Sequence, residues 1–149
     1  MEQSTFKIDI SATPQKVWNT LFTDEDYKRW TEVFCEGSHA ITDWKEGSKA
    51  HFLDDKGRGM FAVLEKVVPN EYMSIKALGE IIDGQETYDS DGAKACSGSY
   101  ENYTLTANGD KTLLTVDLAG GSIPEEFQKF LATVWPKAMI KIKEIAEEE

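Results

Sequence analysis

Few side chains in this 149-residue chain have the types and spacing that support chemistry, and none falls in a strong motif. The two histidines, His39 and His51, lie in different predicted strands and lack the nearby Cys or His residues that zinc sites use. We therefore expect no metal site. A partly buried, hydrogen-bonded imidazole is the better interpretation of His51.

Two other short patterns also have a simple structural explanation. Asp89-x-Asp91-Gly92 resembles the start of a calcium loop but lacks its further acidic and glycine positions, which favours a solvated acidic turn. Cys96 could act as a nucleophile if His51 came close, yet no nucleophile elbow or cysteine-hydrolase signature surrounds it. The sequence therefore predicts no catalytic residue and no cofactor.

Aromatic and apolar side chains suggest a different kind of site, a pocket for a small hydrophobic molecule. Pockets of this kind have apolar walls with a few polar tips, and a buried Tyr or Trp donor would favour a polar group on the guest. Plain core packing is the alternative, and we expect only about half of the aromatic candidates to face a cavity because strands alternate their faces. The candidate ligand-binding residues are Trp30, Phe34, His51, Phe61, Met73, Tyr88, Tyr103, Phe127, Leu131 and Trp135.

The net charge of the chain disfavours some classes of binding partner. Sixteen basic and 27 acidic residues give a net charge of -11, which would repel nucleic acid and anionic membrane surfaces. The polar first residues and the lack of a long apolar run predict no signal peptide, no membrane insertion and a cytoplasmic location. Cys35 and Cys96 are expected to be reduced thiols, and the length predicts one domain over residues 1–149.

The elements that must position these residues begin with a strand and two short helices. Strict alternation predicts a half-buried strand over residues 5–10. Thr13 and Pro14 predict the cap and first position of a helix, and Thr23 predicts the cap of a second.

Residues 35–119 are divided by turn signals into runs rich in β-branched and aromatic residues. Asn108-Gly109 is a good hairpin signal. The runs predict an antiparallel sheet of about seven strands, which must curl. Besides the first strand, they cover residues 39–44, 51–53, 60–68, 72–78, 100–107 and 112–118.

A long amphipathic helix is predicted at the end of the chain. Ser122 with Glu125 resembles a capping box, and Pro124 fits the first turn. Pro136 removes the hydrogen bond to the Ala132 carbonyl, so we predict a kink or bulge there.

The segment 84–98 lacks clear periodicity and is predicted to be a mobile loop. If it lies beside a cavity mouth, it could act as a lid with Tyr88 reaching inward. The alternative is a long hairpin end without a role in binding.

The order of these elements resembles the START-like helix-grip superfamily (SRPBCC), and within it the activator of heat-shock-protein ATPase homologue type. The similarity covers residues 5–146. It rests on Ile8-Asp9-Ile10-Ser11-Ala12-Thr13-Pro14, Val17-Trp18, Leu21, Trp30, Trp44-Lys45-Glu46-Gly47, Val67-Val68-Pro69-Asn70-Glu71, Thr112-Leu113-Leu114-Thr115-Val116 and Trp135-Pro136-Lys137.

The resemblance implies an α+β fold in which a curved antiparallel sheet wraps around a long C-terminal helix, with two short helices after strand one. It also implies a hydrophobic cavity between the sheet and the last helix, and a chaperone as a possible protein partner. Two departures are visible. The chain has no room for the separate N-terminal domain of the eukaryotic cochaperones, and its only arginines, Arg29 and Arg58, do not match the catalytic Arg of the superfamily's polyketide cyclases.

The sequence thus favours a non-enzymatic carrier or sensor that holds a small hydrophobic molecule. One alternative is a cyclase, dehydratase or hydrolase that uses His51 or a tyrosine as general acid or base. Another is an interaction module whose acidic surface binds a basic partner such as a chaperone.

Overall fold

The computed structural model describes residues 3–148 of the chain. Its element order matches the predicted order of a strand, two short helices, a strand-rich middle and a long last helix. The elements are β1 (Ser4–Ile10), α1 (Pro14–Phe22), α2 (Asp24–Thr31), β2 (His39–Ile41), β3 (Lys49–Leu53), β4 (Gly59–Val68), β5 (Tyr72–Ile82), β6 (Gln85–Thr87), α3 (Asp91–Cys96), β7 (Tyr100–Asn108), β8 (Lys111–Ala119) and α4 (Glu125–Ala146).

All eight strands form one antiparallel, curved sheet, which confirms the predicted α+β helix-grip fold. Seven strands follow the order β1-β8-β7-β5-β4-β3-β2, and short β6 pairs with β5. Pairing between β4 and β5 shifts register at Phe61/Ala62 and again at Leu64/Lys66. Such bulges add local twist, which helps the sheet to bend around a helix.

The beginnings of the two short helices differ in their caps. Thr13 caps α1 as predicted, because its side chain accepts a hydrogen bond from the Lys16 amide at 3.2 Å. Thr23 occupies the cap position of α2 but makes no side-chain cap. Its hydroxyl donates to the Asn19 carbonyl at the end of α1 instead, at 2.7 Å.

Helix α4 begins later than the sequence predicts. Pro124 is its cap residue and no side chain caps the first turn, so the predicted capping box at Ser122 is wrong. The Gln128 side chain donates to the Ile123 carbonyl at 2.7 Å near this end. The helix continues through Pro136 to Ala146, and the kink near Ala132 stays a prediction.

One face of α4 covers the concave side of the sheet and forms the main core with it. This face buries Val134, Trp135, Ala138, Met139, Ile142, Ile145 and Ala146. Two surface interactions hold the residues after this helix. The Glu147 side chain accepts a hydrogen bond from the Ser11 amide at 2.8 Å, and Glu148 forms a salt bridge with Arg29. No helix within residues 3–148 combines the length and apolar character needed to cross a membrane.

The segment 84–98 is more regular than the sequence indicates, since β6 and α3 account for most of it. Its β-strand lies close to Gly79 of β5. A Cβ atom at Gly79 would lie 2.4 Å from the Thr87 carbonyl oxygen and 2.7 Å from the Phe61 ring. Only glycine permits this approach, and β5 therefore runs four residues beyond its predicted end to pair with β6.

Candidate functional site

A cavity of about 240 Å³ lies between the sheet, helix α2 and helix α4. Four strands, three helices and the loops after α2, α3 and β8 contribute to its wall. The lining residues are Tyr27, Trp30, Thr31, Phe34, Ser38, Met60, Ile75, Ala77, Cys96, Ser99, Tyr100, Glu101, Leu118, Ala119, Ile123, Phe127, Leu131 and Trp135.

Aromatic rings form the helical side of the cavity. The Trp30 ring lies 5.3 Å from Tyr27 and 6.0 Å from Trp135, measured between ring centroids. Phe34 contacts Trp135 edge to face at 5.1 Å. The Trp30 indole N–H is satisfied by the Leu21 carbonyl at 3.3 Å, so this ring presents only apolar surface to the cavity.

Five of the ten residues predicted to bind ligand line this cavity: Trp30, Phe34, Phe127, Leu131 and Trp135. Trp30 and Trp135 are buried, whereas Phe127 is 49% exposed. Phe127 therefore lies where the cavity opens to solvent. It stacks there against Phe130, with 5.6 Å between the ring centroids.

The other five predicted residues do not face the cavity. Met73 is fully buried in the main core, and the ring of buried Tyr103 packs behind the wall against Trp30 and Trp135. His51, Phe61 and Tyr88 lie together elsewhere on the sheet. Tyr88 is 61% exposed and does not reach inward, which contradicts the predicted lid contact.

His51, Phe61 and Tyr88 form what we call the β6 cluster, together with Lys49 and Glu86. The His51 imidazole Nε2 lies 2.8 Å from Glu86 Oε2, and Lys49 donates to Glu86 Oε1 at 2.9 Å. Hydrogen bonds from these two groups hold the pKa of Glu86 below its usual value. The predicted partly buried, hydrogen-bonded state of His51 is thereby confirmed.

Cys96 does line the cavity, but as a poor nucleophile. Its thiol points to the carbonyl oxygens of Gly79 and Ala93, each at 3.6 Å. Burial, reinforced by nearby Glu80, raises the thiol pKa. His51, the base considered from the sequence, is hydrogen-bonded to Glu86 in the β6 cluster.

The most distinctive group in the cavity, Glu101, was not among the predicted residues. Its Oε1 atom accepts a hydrogen bond from the Tyr103 hydroxyl at 2.8 Å. Burial raises the pKa of this carboxyl to about 7, although the Tyr103 hydrogen bond acts in the opposite direction. No Lys, Arg or His occurs among the residues that line the described cavity.

Tyr27 supplies a second polar tip. Within residues 3–148, its hydroxyl makes no hydrogen bond, and it stays in contact with accessible space. Burial, followed by the neighbouring Glu101 carboxyl, raises the Tyr27 pKa well above its usual value. The phenol therefore stays protonated and can donate or accept a hydrogen bond.

The alternation of β7 is the sequence signal that could have identified Glu101. Tyr103 and Leu105 are buried residues two and four positions after Glu101, so all three project from the same face of the strand. A carboxyl in series with buried residues must either reach solvent at a strand end or lie in the interior. Glu101 is half-buried near the start of β7, where it lines the cavity.

Solved structures with the same fold share little sequence with this chain. The Aha1 dimer from Colwellia psychrerythraea has a TM-score of 0.75 and 18% identity, over 99% of this chain and 97% of that one. Protein MLL2253 from Mesorhizobium loti has a TM-score of 0.73 and 19% identity, over 97% of this chain and 96% of that one. DynU16, from the dynemicin biosynthetic locus, has a TM-score of 0.73 and 16% identity, over 99% of this chain and 48% of its own.

No curated protein matches this sequence. A protein-family match nevertheless extends over residues 11–147, from the end of β1 to the end of α4. It includes every element that surrounds the cavity. The match and the shared fold together show that the chain belongs to the family of Activator of Hsp90 ATPase homolog 1-like proteins.

Proposed function

We propose that this protein binds a small, largely hydrophobic molecule in the cavity between the sheet and α4. The observation that carries the proposal is a largely apolar cavity whose lining includes a few polar groups, among them Tyr27 and Glu101. Sites of this composition bind through buried apolar area, while a few polar groups set orientation. A carrier or sensor requires nothing more than this.

The cavity volume limits the size of the guest. An engineered apolar cavity of about 150 Å³ is large enough for benzene, whereas drug-sized ligands occupy about 300–1,000 Å³. The volume of about 240 Å³ lies between these values. A guest with one or two rings, or a chain of similar bulk, fits this space.

Native mass spectrometry beside the denatured mass, followed by a thermal-shift screen of small apolar compounds, tests the proposal. We expect a retained guest, or a melting temperature that rises with ligand concentration as mass action requires. Ala119→Phe fills the cavity and should abolish the shift, because Ala119 lines it. Ala132→Phe adds the same ring at an exposed position of α4 and should leave the shift intact.

An empty protein whose melting temperature no compound changes would contradict the proposal. A shift that survives Ala119→Phe in a folded variant would place binding outside the cavity. Circular dichroism of both variants separates loss of binding from loss of fold.

Glu101 also favours a second candidate function, proton-transfer catalysis on a bound guest. A carboxyl whose pKa lies near 7 can both release and accept a proton at neutral pH. In this role Glu101 replaces His51, which lies outside the cavity. Turnover with a bell-shaped or sigmoidal pH profile that Glu101→Gln abolishes would support an enzyme, whereas binding without turnover would support the carrier.

The family description refers to an activator of the Hsp90 ATPase, and a chaperone partner stays a prediction for this chain. A pull-down that loses a basic partner as salt is raised would support that role. The cytoplasmic location and the extent of the domain over residues 1–149 likewise stay predictions.

A further inference from the structure

We propose that the guest of this cavity is a hydrophobic amine, bound as its cation with the ammonium group between Glu101 and Tyr27 and the apolar body among the aromatic rings. This inference rests on the proposed function, since it assumes that the cavity is occupied. It goes beyond that function by naming the chemical class of the guest.

The first argument is the unmatched carboxyl. Glu101 Oε1 accepts a hydrogen bond from the Tyr103 hydroxyl, but within residues 3–148 no group donates to Oε2, which stays in contact with accessible space. A buried carboxylate without a cation is costly to a fold. A guest that brings a positive charge would supply the missing partner.

The second argument is that nothing else in the cavity wall can carry a charge of either sign near neutral pH. Glu101 is the sole carboxyl among the described lining residues, and no basic side chain lines the cavity. Burial raises the pKa of the lining residues Tyr27 in α2 and Cys96 in α3, and it also raises the pKa of Tyr103, which packs behind the wall, so all three groups stay protonated and neutral. The cavity therefore has one potential negative charge and no competing cation.

The third argument is the aromatic wall. Trp30, Phe34, Trp135 and Tyr27 surround the space with centroid separations of 5.1–6.4 Å between contacting pairs. The negative face of an aromatic ring attracts an ammonium group, most strongly when water is excluded. A carboxylate or phosphate guest would instead meet these faces and Glu101 with its own negative charge.

The charge of the whole chain acts in the same direction. At -11, the protein concentrates small cations near its surface and repels small anions. The opening of the cavity beside half-exposed Phe127 carries apolar surface for the body of such a guest. An amphipathic cation thus fits the apolar surface at the opening of the cavity and the negative charge inside it.

Three probes of nearly equal size test the inference: 2-phenylethylamine, 2-phenylethanol and 3-phenylpropanoate. Each has one phenyl ring and a short chain, and they differ in carrying a positive, zero or negative charge. Isothermal titration calorimetry at about pH 8, where Glu101 is mostly ionised, measures each affinity. We expect the amine to bind at least about tenfold more tightly than the alcohol and the acid to bind least.

The matched variants are Glu101→Gln and Glu65→Gln. Glu101→Gln keeps the shape and the acceptor for Tyr103, so we expect it to weaken the amine about 30-fold and the alcohol by less than about threefold. Glu65 is exposed on β4 and lies outside the cavity wall, so the same charge change there should alter neither affinity. Circular dichroism confirms that each variant is folded.

The outcomes separate the inference from the proposed function. Tighter binding of the alcohol or acid than of the amine, or amine binding that Glu101→Gln leaves unchanged, overturns the inference while the hydrophobic-ligand function stands. Failure of all three probes also overturns it, and the broader screen of apolar compounds then decides the proposed function on its own.

Discussion

Two glutamates of this protein, Glu101 and Glu86, show how environment decides what a carboxyl group does. Glu86 lies in the β6 cluster, partly open to water and bonded to His51 and Lys49, and its pKa is lowered. Glu101 lies in the cavity, where burial raises its pKa to about 7 and a phenol is its only described partner.

The difference is instructive because the less conspicuous group is the better functional candidate. The β6 cluster combines His, Lys and Glu, the residue types that usually suggest chemistry, yet its charges compensate one another. Glu101 is surrounded by apolar and phenolic groups and lacks compensation. Perturbed, uncompensated groups in clefts are the ones that tend to take part in binding or proton transfer.

The largest expected effect is a difference in stability between aromatic substitutions in the cavity and in the β6 cluster. Trp135→Ala should lower the free energy of unfolding by about 3–5 kcal/mol, because the buried indole packs against Phe6, Trp30, Phe34 and Tyr103. Tyr88→Ala in the β6 cluster should cost less than about 1 kcal/mol, since Tyr88 is mostly exposed. Urea unfolding of both variants measures the contrast, and equal losses would contradict it.

Glu101→Gln should stabilise the protein at alkaline pH. The pKa of Glu101 is raised on folding from 4.5 to about 7, so its contribution is most favourable below about pH 4.5 and is lost as the pH rises through about 7. The neutral variant avoids this loss, and its free energy of unfolding should exceed that of the parent by about 3 kcal/mol at about pH 9. Urea titrations across this pH range measure the gain, and a pH-independent difference would refute the assignment.

Helix α3 follows β6 in the chain and contributes Cys96 to the cavity wall, and it allows a test of helix capping. The Ser90 hydroxyl accepts from the Ala93 amide at 3.1 Å and donates to Glu80 at 2.9 Å. Ser90→Ala should therefore cost about 1 kcal/mol of unfolding free energy. Ser122→Ala is the control, because exposed Ser122 does not cap α4, and a loss at Ser122 as large as that at Ser90 would be inconsistent with the structure.

The smallest expected effect completes the comparison. Glu86→Gln should lower stability slightly, and its pH dependence should be opposite in sign to that of Glu101→Gln. Because the folded pKa of Glu86 is lowered, its contribution is present above about pH 4.5 and disappears as the pH falls through the folded pKa. Thermal melts from acidic to neutral pH test the sign, and a gain at neutral pH would contradict it.

The sequence predicts most of the fold because its signals are local and redundant. Alternation in β1, the Thr13-Pro14 cap and the Asn108-Gly109 turn each specify their own element without distant contacts. The errors occur where tertiary packing outweighs a local signal. Ser122 has the right spacing for a cap, but α4 begins at Glu125, and β6 forms because Gly79 lets it approach β5.

The site was predictable only in part for a related reason. Residues on the helices that face the sheet, such as Trp30 and Trp135, follow from helical periodicity. On strands, the choice between the two faces depends on register, and a bulge at Phe61/Ala62 changes which side chains point inward. Met60 and Phe61 are neighbours on β4 and project from its opposite faces, so Met60 lines the cavity while Phe61 belongs to the β6 cluster.

The pairing of β1 with β8 has a consequence for how the chain reaches its native state. The closest paired residues, Ile10 and Thr112, are 102 positions apart, and α4 is made after both strands. During synthesis, the ring of Trp30 therefore cannot pack against Trp135 until α4 has been made. Sheets that close through such distant contacts form slowly, so we expect the nascent chain to expose its future binding surface until α4 has been synthesised.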